Sequence, residues 1–171
     1  MSRCTRLDTQ DLGNYRPISL LNSLYKIFAS IIQNRIASVL DFSLTTTQFG
    51  FRKSRGTSDA MHLIRRVIDR GAATNKKTLL LLLDWEKAFD RITHSSMFTA
   101  LKRAGLPDKY INIIAALYRN PKFYIEADGF VSDFFRQNTG IRQGCPLSPY
   151  LFIVVMSVLM QDVDISVSFS D

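Results

Sequence analysis

The sequence predicts an α+β fold, with helices packed on a small antiparallel sheet. Three observations carry this. Apolar residues recur at helical spacing from Leu20 to Leu40, and again after Pro107. Five leucines, Leu79 to Leu83, form an unbroken apolar run between Thr78 and Asp84. Two alternating stretches flank Asp128-Gly129, the dipeptide that best closes a two-residue hairpin. With 171 residues, 46% of them apolar and 22% charged, the chain has the length and composition of one globular domain rather than a disordered segment.

Met1 to Asn14 is polar and aperiodic. In Asn14-Tyr15-Arg16-Pro17 the proline ring pushes Arg16 out of the helical region, so an extended or turning start is expected. From Leu20 to Leu40 the apolar positions Leu21, Leu24, Tyr25, Phe28, Ile31, Ile32, Ile36 and Val39 predict a helix with one broad buried stripe. Lys26, Gln33, Asn34 and Arg35 face outward. Asp41 to Thr57 is irregular. Thr57-Ser58-Asp59 can cap free backbone N–H groups and start a second helix, with Met61, Ile64, Val67 and Ile68 as its buried face and Gly71 as its stop. The leucine run has the length of a strand buried on both faces. Further helices are expected from about Thr93 to Ala104, stopped at Gly105, and from Pro107, broken at Asn120-Pro121. Lys122–Ala127 and Phe130–Arg136 form the hairpin, and Asn138-Thr139-Gly140 a turn. Ser148-Pro149 opens a strongly apolar helix to about Asp162.

The longest apolar run, Tyr150 to Met160, has eleven residues and is too short to span a bilayer. The amino terminus shows no apolar signal-peptide region. Cys4 and Cys145 form neither a disulfide framework nor a metal motif, so a reducing compartment is the default. Net charge is +7, and the stretch Phe49–Lys77 alone carries +6: Arg52, Lys53, Arg55, Arg65, Arg66, Arg70, Lys76 and Lys77 stand against Asp59 and Asp69. Such clustering points to an acidic partner.

Three stretches can carry chemistry. Asp84 stands at the carboxyl end of the leucine run, where ligands gather in α/β sheets, with Glu86 and Asp90 close behind. It can equally cap a turn or pair with Lys87 or Arg91. In Gly140 to Pro149, two glycines and two prolines fix a backbone path. There Gly144 permits close approach of a ligand, and Arg142 and Gln143 offer donors to phosphate, sugar or base. An ordinary hairpin-to-helix connection would read the same way. In Gln48 to Thr57, aromatic and basic residues interleave, as in contacts to nucleic acid or triphosphate, or in a plain solvated loop. His62 and His94 are single histidines with structural roles, and Cys145 is a small packing residue.

Four motifs then occur in order: Asn14-Tyr15-Arg16-Pro17-Ile18-Ser19-Leu20-Leu21, Gln48-Phe49-Gly50-Phe51-Arg52, Leu83-Asp84-Trp85-Glu86-Lys87-Ala88-Phe89-Asp90, and Arg142-Gln143-Gly144-Cys145-Pro146-Leu147-Ser148-Pro149-Tyr150-Leu151-Phe152. Together they resemble the reverse transcriptase domain of non-LTR (LINE-type) retrotransposons, with group II intron enzymes as cousins. The resemblance covers roughly Asp11 to Asp162. It implies the fingers and part of the palm of a right-hand polymerase: residues 1–13 an extension, 14–77 fingers, and 78–171 palm. The implied reaction is template-directed deoxynucleotidyl transfer with an RNA template, a DNA primer and deoxynucleoside triphosphates, without a membrane. The implied cofactor is two Mg²⁺ ions, with Mn²⁺ as the alternative. Asp84 matches the first catalytic carboxylate, and the Trp85 carbonyl a further metal contact. Phe89 matches the position under the incoming sugar, Gln143 and Gly144 the lining of the nascent base pair, and Arg52 a triphosphate contact. Lys53, Arg55 and Arg142 are weaker nucleic-acid candidates. Ser54 and Gly56 depart from the family's loop pattern.

The family's second acidic motif, two adjacent aspartates, is absent from these 171 residues. The expectation is therefore a domain fragment truncated before that motif and inactive by itself. The alternatives are a non-catalytic remnant that at most binds RNA through the basic stretch, or an unstable fragment without function. Family analogy places such enzymes inside the cell, in the nucleus or cytoplasm.

Overall fold

The computed structural model describes residues 18–127 and 129–167, with side chains to residue 163. The Asn14–Pro17 motif, Cys4, Asp128 and residues 168–171 lie outside the described residues.

Among the described residues six helices and four short strands follow one another. Helix α1 runs Ser23–Leu40, with the Asn22 side chain accepting the Tyr25 N–H at 2.7 Å as its cap. Helix α2 runs Thr57–Ala73, and the Asp59 carboxylate accepts the Gly56 N–H at 2.8 Å. After the leucine run comes a single helical turn, α3 (Ala88–Arg91), which the apolar spacing does not foretell. Helices α4 (His94–Arg103) and α5 (Asp108–Leu117) are joined at Gly105, and α6 runs Ser148–Val167. Strands β2 (Glu126–Ala127) and β3 (Phe130–Val131) pair antiparallel, with Ala127 opposite Phe130. Further along the same ribbon β1 (Lys122–Phe123) pairs with β4 (Phe135–Arg136). The expected hairpin around Asp128-Gly129 is thus present, and the fold mixes helices with small antiparallel sheets.

The core lies between α1, α4, α5 and α6. Ala29, Ile32, Ile36 and Leu40 meet Met97, Leu101, Ile114, Leu151, Ile153 and Val154, all buried. Helix α6 lies along α4, and it is apolar all round because its neighbours cover it on several sides. Thr93 caps α4 by accepting the Ser96 N–H at 3.1 Å. Thr93→Ala should cost about 1 kcal/mol, read as a lower urea midpoint at unchanged slope.

Four expectations need correction. The α1 stripe is narrower than predicted: Leu24, Phe28, Ile31 and Val39 are exposed, positions 29, 32, 36 and 40 are buried, and Leu21, Tyr25 and Ala37 pack against the core from its edge. On α2 the whole predicted face, Met61, Ile64, Val67 and Ile68, is exposed, because no described element packs against it. Gly71 does not stop that helix, which continues to Ala73. The leucine run has no regular secondary structure and joins no sheet, and Leu79 is 96% exposed. A strand exists only through its ladder partner, and among the described residues none lies beside it.

Candidate functional site

Three segments distant in sequence meet at one junction. The Ser19 N–H donates to the Gln143 carbonyl at 2.8 Å. The Ile141 N–H donates to the Phe89 carbonyl, and the Gly140 N–H to the Ile92 carbonyl, both at 2.8 Å. The Gln143 side-chain amide donates to Asp90 Oδ1 at 3.3 Å. His94 Nε2 lies 3.1 Å from the Gly140 carbonyl and fixes that turn from α4. Three of the four sequence motifs therefore touch in space.

Glycine is required here by geometry. Gly144 has φ +101°, and a Cβ on it would lie 2.8 Å from the Ser19 carbonyl oxygen. Gly140 has φ +89°, and its Cβ would come within 3.1 Å of the Asp90 Cα. Side chains rarely adopt such φ values, and the backbones could not approach this closely around one.

Of the predicted site residues, Phe89, Gln143 and Gly144 belong to this junction, whereas Asp84 and Arg52 have their hydrogen bonds elsewhere. Phe89 is half-buried, its ring stacked on Phe152 at 4.9 Å between centroids. One face is packed into the core edge, so the residue contributes to folding whatever else it does. Arg142 brackets the core edge. Its guanidinium lies 5.3 Å from the Tyr25 ring and 5.4 Å from the Tyr118 ring, and it donates to the Leu117 carbonyl at 3.0 Å. Burial pushes the Tyr25 and Tyr118 phenols above their ordinary range, so both rings remain neutral partners for the cation.

Asp84 is exposed and accepts its neighbour's amide, Trp85 N–H, at 2.9 Å through Oδ1. Trp85 is half-exposed. The neighbouring carboxylate Glu86 is drawn instead to Arg91, at 2.9 Å. Lys87 caps α3 in the left-handed region, at φ +52°, which turns the chain sharply from Asp84 toward Phe89 and Asp90. Among the described residues no three or more acidic, histidine or cysteine side chains gather closely enough to hold an ion. The oxygen-donor chemistry of the exposed Asp84 carboxylate fits one open-sided Mg²⁺, which keeps several waters. It does not fit two.

Arg52 departs most from expectation. It is buried, and its donors are all engaged inside the loop. Nε and Nη2 hold the Asp41 carboxylate at 2.9 and 2.8 Å, Nη2 also holds the Asp41 carbonyl at 3.0 Å, and Nη1 holds the Thr45 and Gln48 carbonyls at 3.1 and 3.3 Å. The guanidinium holds the Asp41 carboxyl below the usual carboxylate range. Lys53 is exposed beside it, whereas Arg55 donates to the Thr46 carbonyl and lies over the Phe49 ring. Asp41 was invisible as a partner in the sequence. Its only signal was an acid at the carboxyl end of a helix, where the dipole disfavours negative charge and a compensating cation is needed.

Residues 7–169 match the family model described as reverse transcriptase (RNA-dependent DNA polymerase). The chain belongs to the reverse transcriptase family. Its relatives are of the LINE type. This reverse transcriptase segment is 33% identical, over 153 residues, to the Retrovirus-related Pol polyprotein from type-1 retrotransposable element R2 of Nasonia vitripennis, covering 90% of this chain and 15% of that protein. It is 31% identical to the RNA-directed DNA polymerase from mobile element jockey of Drosophila melanogaster, covering 86% of this chain and 16% of the relative. Transposon TX1 uncharacterized 149 kDa protein of Xenopus laevis is 30% identical, covering 85% and 11%. The chain thus spans less than a fifth of each of these relatives. Among its described residues no helix is long and apolar enough to cross a membrane.

Proposed function

We propose that this reverse transcriptase segment supplies the first carboxylate and the nucleotide-lining turn of an RNA-directed DNA polymerase, with residues 14–77 in its fingers and 78–171 in its palm. One observation carries this reading: the junction where the backbones of Ser19, Phe89–Ile92 and Gly140–Gln143 interlock. It rigidly relates the turn after Asp84 to the Gln143–Gly144 loop. Polymerases work by positioning template, primer and triphosphate, so a rigid relation between a metal-holding carboxylate and a nucleotide-lining loop is what the chemistry needs. In this reading Asp84 and the Trp85 carbonyl are ligands of one Mg²⁺ or Mn²⁺, which would supply charge neutralisation at the phosphates. Gln143 and Gly144 line the nascent pair, and the half-buried Phe89 ring bounds the sugar position. RNA template and DNA primer meet the basic Phe49–Lys77 stretch.

The 171 residues contain no adjacent aspartate pair, and this favours a second reading for the isolated polypeptide: RNA binding without synthesis. Purified Met1–Asp171 should bind single-stranded RNA with an affinity that falls steeply with added salt, as phosphate contacts require. It should extend no primer with Mg²⁺ or Mn²⁺. Robust templated extension would overturn the inactivity, and absence of RNA affinity at low salt would overturn the binding.

A further inference from the structure

We propose that Arg52 is a positioning residue, which with Asp41 forms a clamp that shapes the basic loop and presents Phe51 and Lys53 to a single-stranded nucleic acid. The identity of that ligand rests on the function proposed above; the clamp itself does not. A guanidinium has five N–H donors, and each is occupied by Asp41, Thr45 or Gln48. To reach a phosphate, Arg52 would have to abandon a bidentate ion pair and three carbonyls, leaving a half-buried carboxylate uncompensated. The bonds also serve the fold. The Asp41 carbonyl belongs to the end of α1, where helix carbonyls lack partners. Thr45 and Gln48 belong to the loop that follows. One side chain thus gathers two points of the loop onto the end of a core helix.

What the clamp holds is strained. Phe51 has φ +57° and Ser54 φ +59°, on either side of Arg52 and Lys53. A bulky residue adopts this region only where its surroundings impose it. The reversals direct Phe51, 58% exposed, and Lys53 away from the body of the protein while Arg52 points in. An exposed ring beside an exposed ammonium suits a base and its phosphate.

The test compares Asp41→Asn, Arg52→Lys, Arg52→Ala and the Asp41→Asn/Arg52→Ala pair in the full 171-residue chain, with urea midpoints confirming that each variant is folded. Two readouts are taken: tryptic cleavage after Lys53, and affinity for single-stranded RNA. The clamp predicts that each single variant speeds that cleavage about tenfold, the loss expected for a partly exposed charged hydrogen-bond set. The double variant should add little. It also predicts that Asp41→Asn weakens RNA binding although it removes a negative charge, and that Arg52→Lys behaves as Arg52→Ala, because an ammonium lacks the fork. Direct phosphate ligation predicts the reverse: tighter binding in Asp41→Asn and near-normal binding in Arg52→Lys. That result, or unchanged cleavage in all variants, would overturn the clamp. If the wild-type chain binds no RNA, the proposed function fails, and the cleavage rates still decide the clamp. If Arg52→Ala does not fold, Arg52→Lys and Asp41→Asn carry the comparison.

Discussion

Gly144→Ala should destabilise the protein by about 3 kcal/mol, combining the strain of a Cβ at positive φ with the loss of a backbone hydrogen bond. The φ of +101° accounts for part of this. The larger part comes from the added methyl group, which would stand 2.8 Å from the Ser19 carbonyl oxygen and must drive the two backbones apart. That separation breaks the bond from Ser19 N–H to the Gln143 carbonyl. Gly105→Ala is the internal control. Gly105 also has positive φ, +85°, but nothing lies within 4 Å of its would-be Cβ. It should show the conformational cost alone. Urea unfolding of the two variants therefore separates strain from collision, and equal effects at both sites would mean that Ser19 does not pack against the Gln143–Gly144 loop as described.

Asp84→Asn, introduced into a full-length polymerase that carries this segment, should lower primer extension by about 10²–10³-fold, the loss typical of removing one preorganised electrostatic group. The substitution is chosen for what it preserves. Asp84 uses one oxygen to accept the Trp85 N–H at 2.9 Å, and the asparagine amide oxygen can do the same. Its removed charge has no ion-pair partner among the described residues, since Arg91 is engaged with Glu86. Stability should therefore remain within about 0.5 kcal/mol of wild type, as for most exposed substitutions. A folded Asp84→Asn enzyme with more than a tenth of normal extension would show that Asp84 only shapes the turn.

Local features were legible in the sequence. Thr57-Ser58-Asp59 starts α2, Thr93 caps α4, Gly105 ends the turn after it, and β2 pairs with β3 on either side of positions 128–129. Each depends on a residue and its neighbours within a few positions. Burial was less legible. The same apolar spacing that buries Ile32 and Ile36 on α1 leaves Met61 and Val67 on α2 in solvent, because a hydrophobic face records what a helix could bury and not what lies beside it. The leucine run shows the same limit for strands. Its composition is that of a buried strand, yet strand pairing is a property of two segments.

By itself, then, the sequence determined the family, through four ordered motifs, together with the caps, the turns and the clustering of charge between Phe49 and Lys77. Only the tertiary structure decided what the motif residues touch. It placed Gln143 against Asp90 and Ser19 across gaps of many residues, closed Tyr25 and Tyr118 around Arg142, and turned Arg52 inward onto Asp41. The physical reason is that a side chain's chemistry depends on which donors remain available once the chain has folded. Arg52 and Lys53 are adjacent cations in the sequence, yet one has all its donors engaged in building the loop and the other extends into solvent.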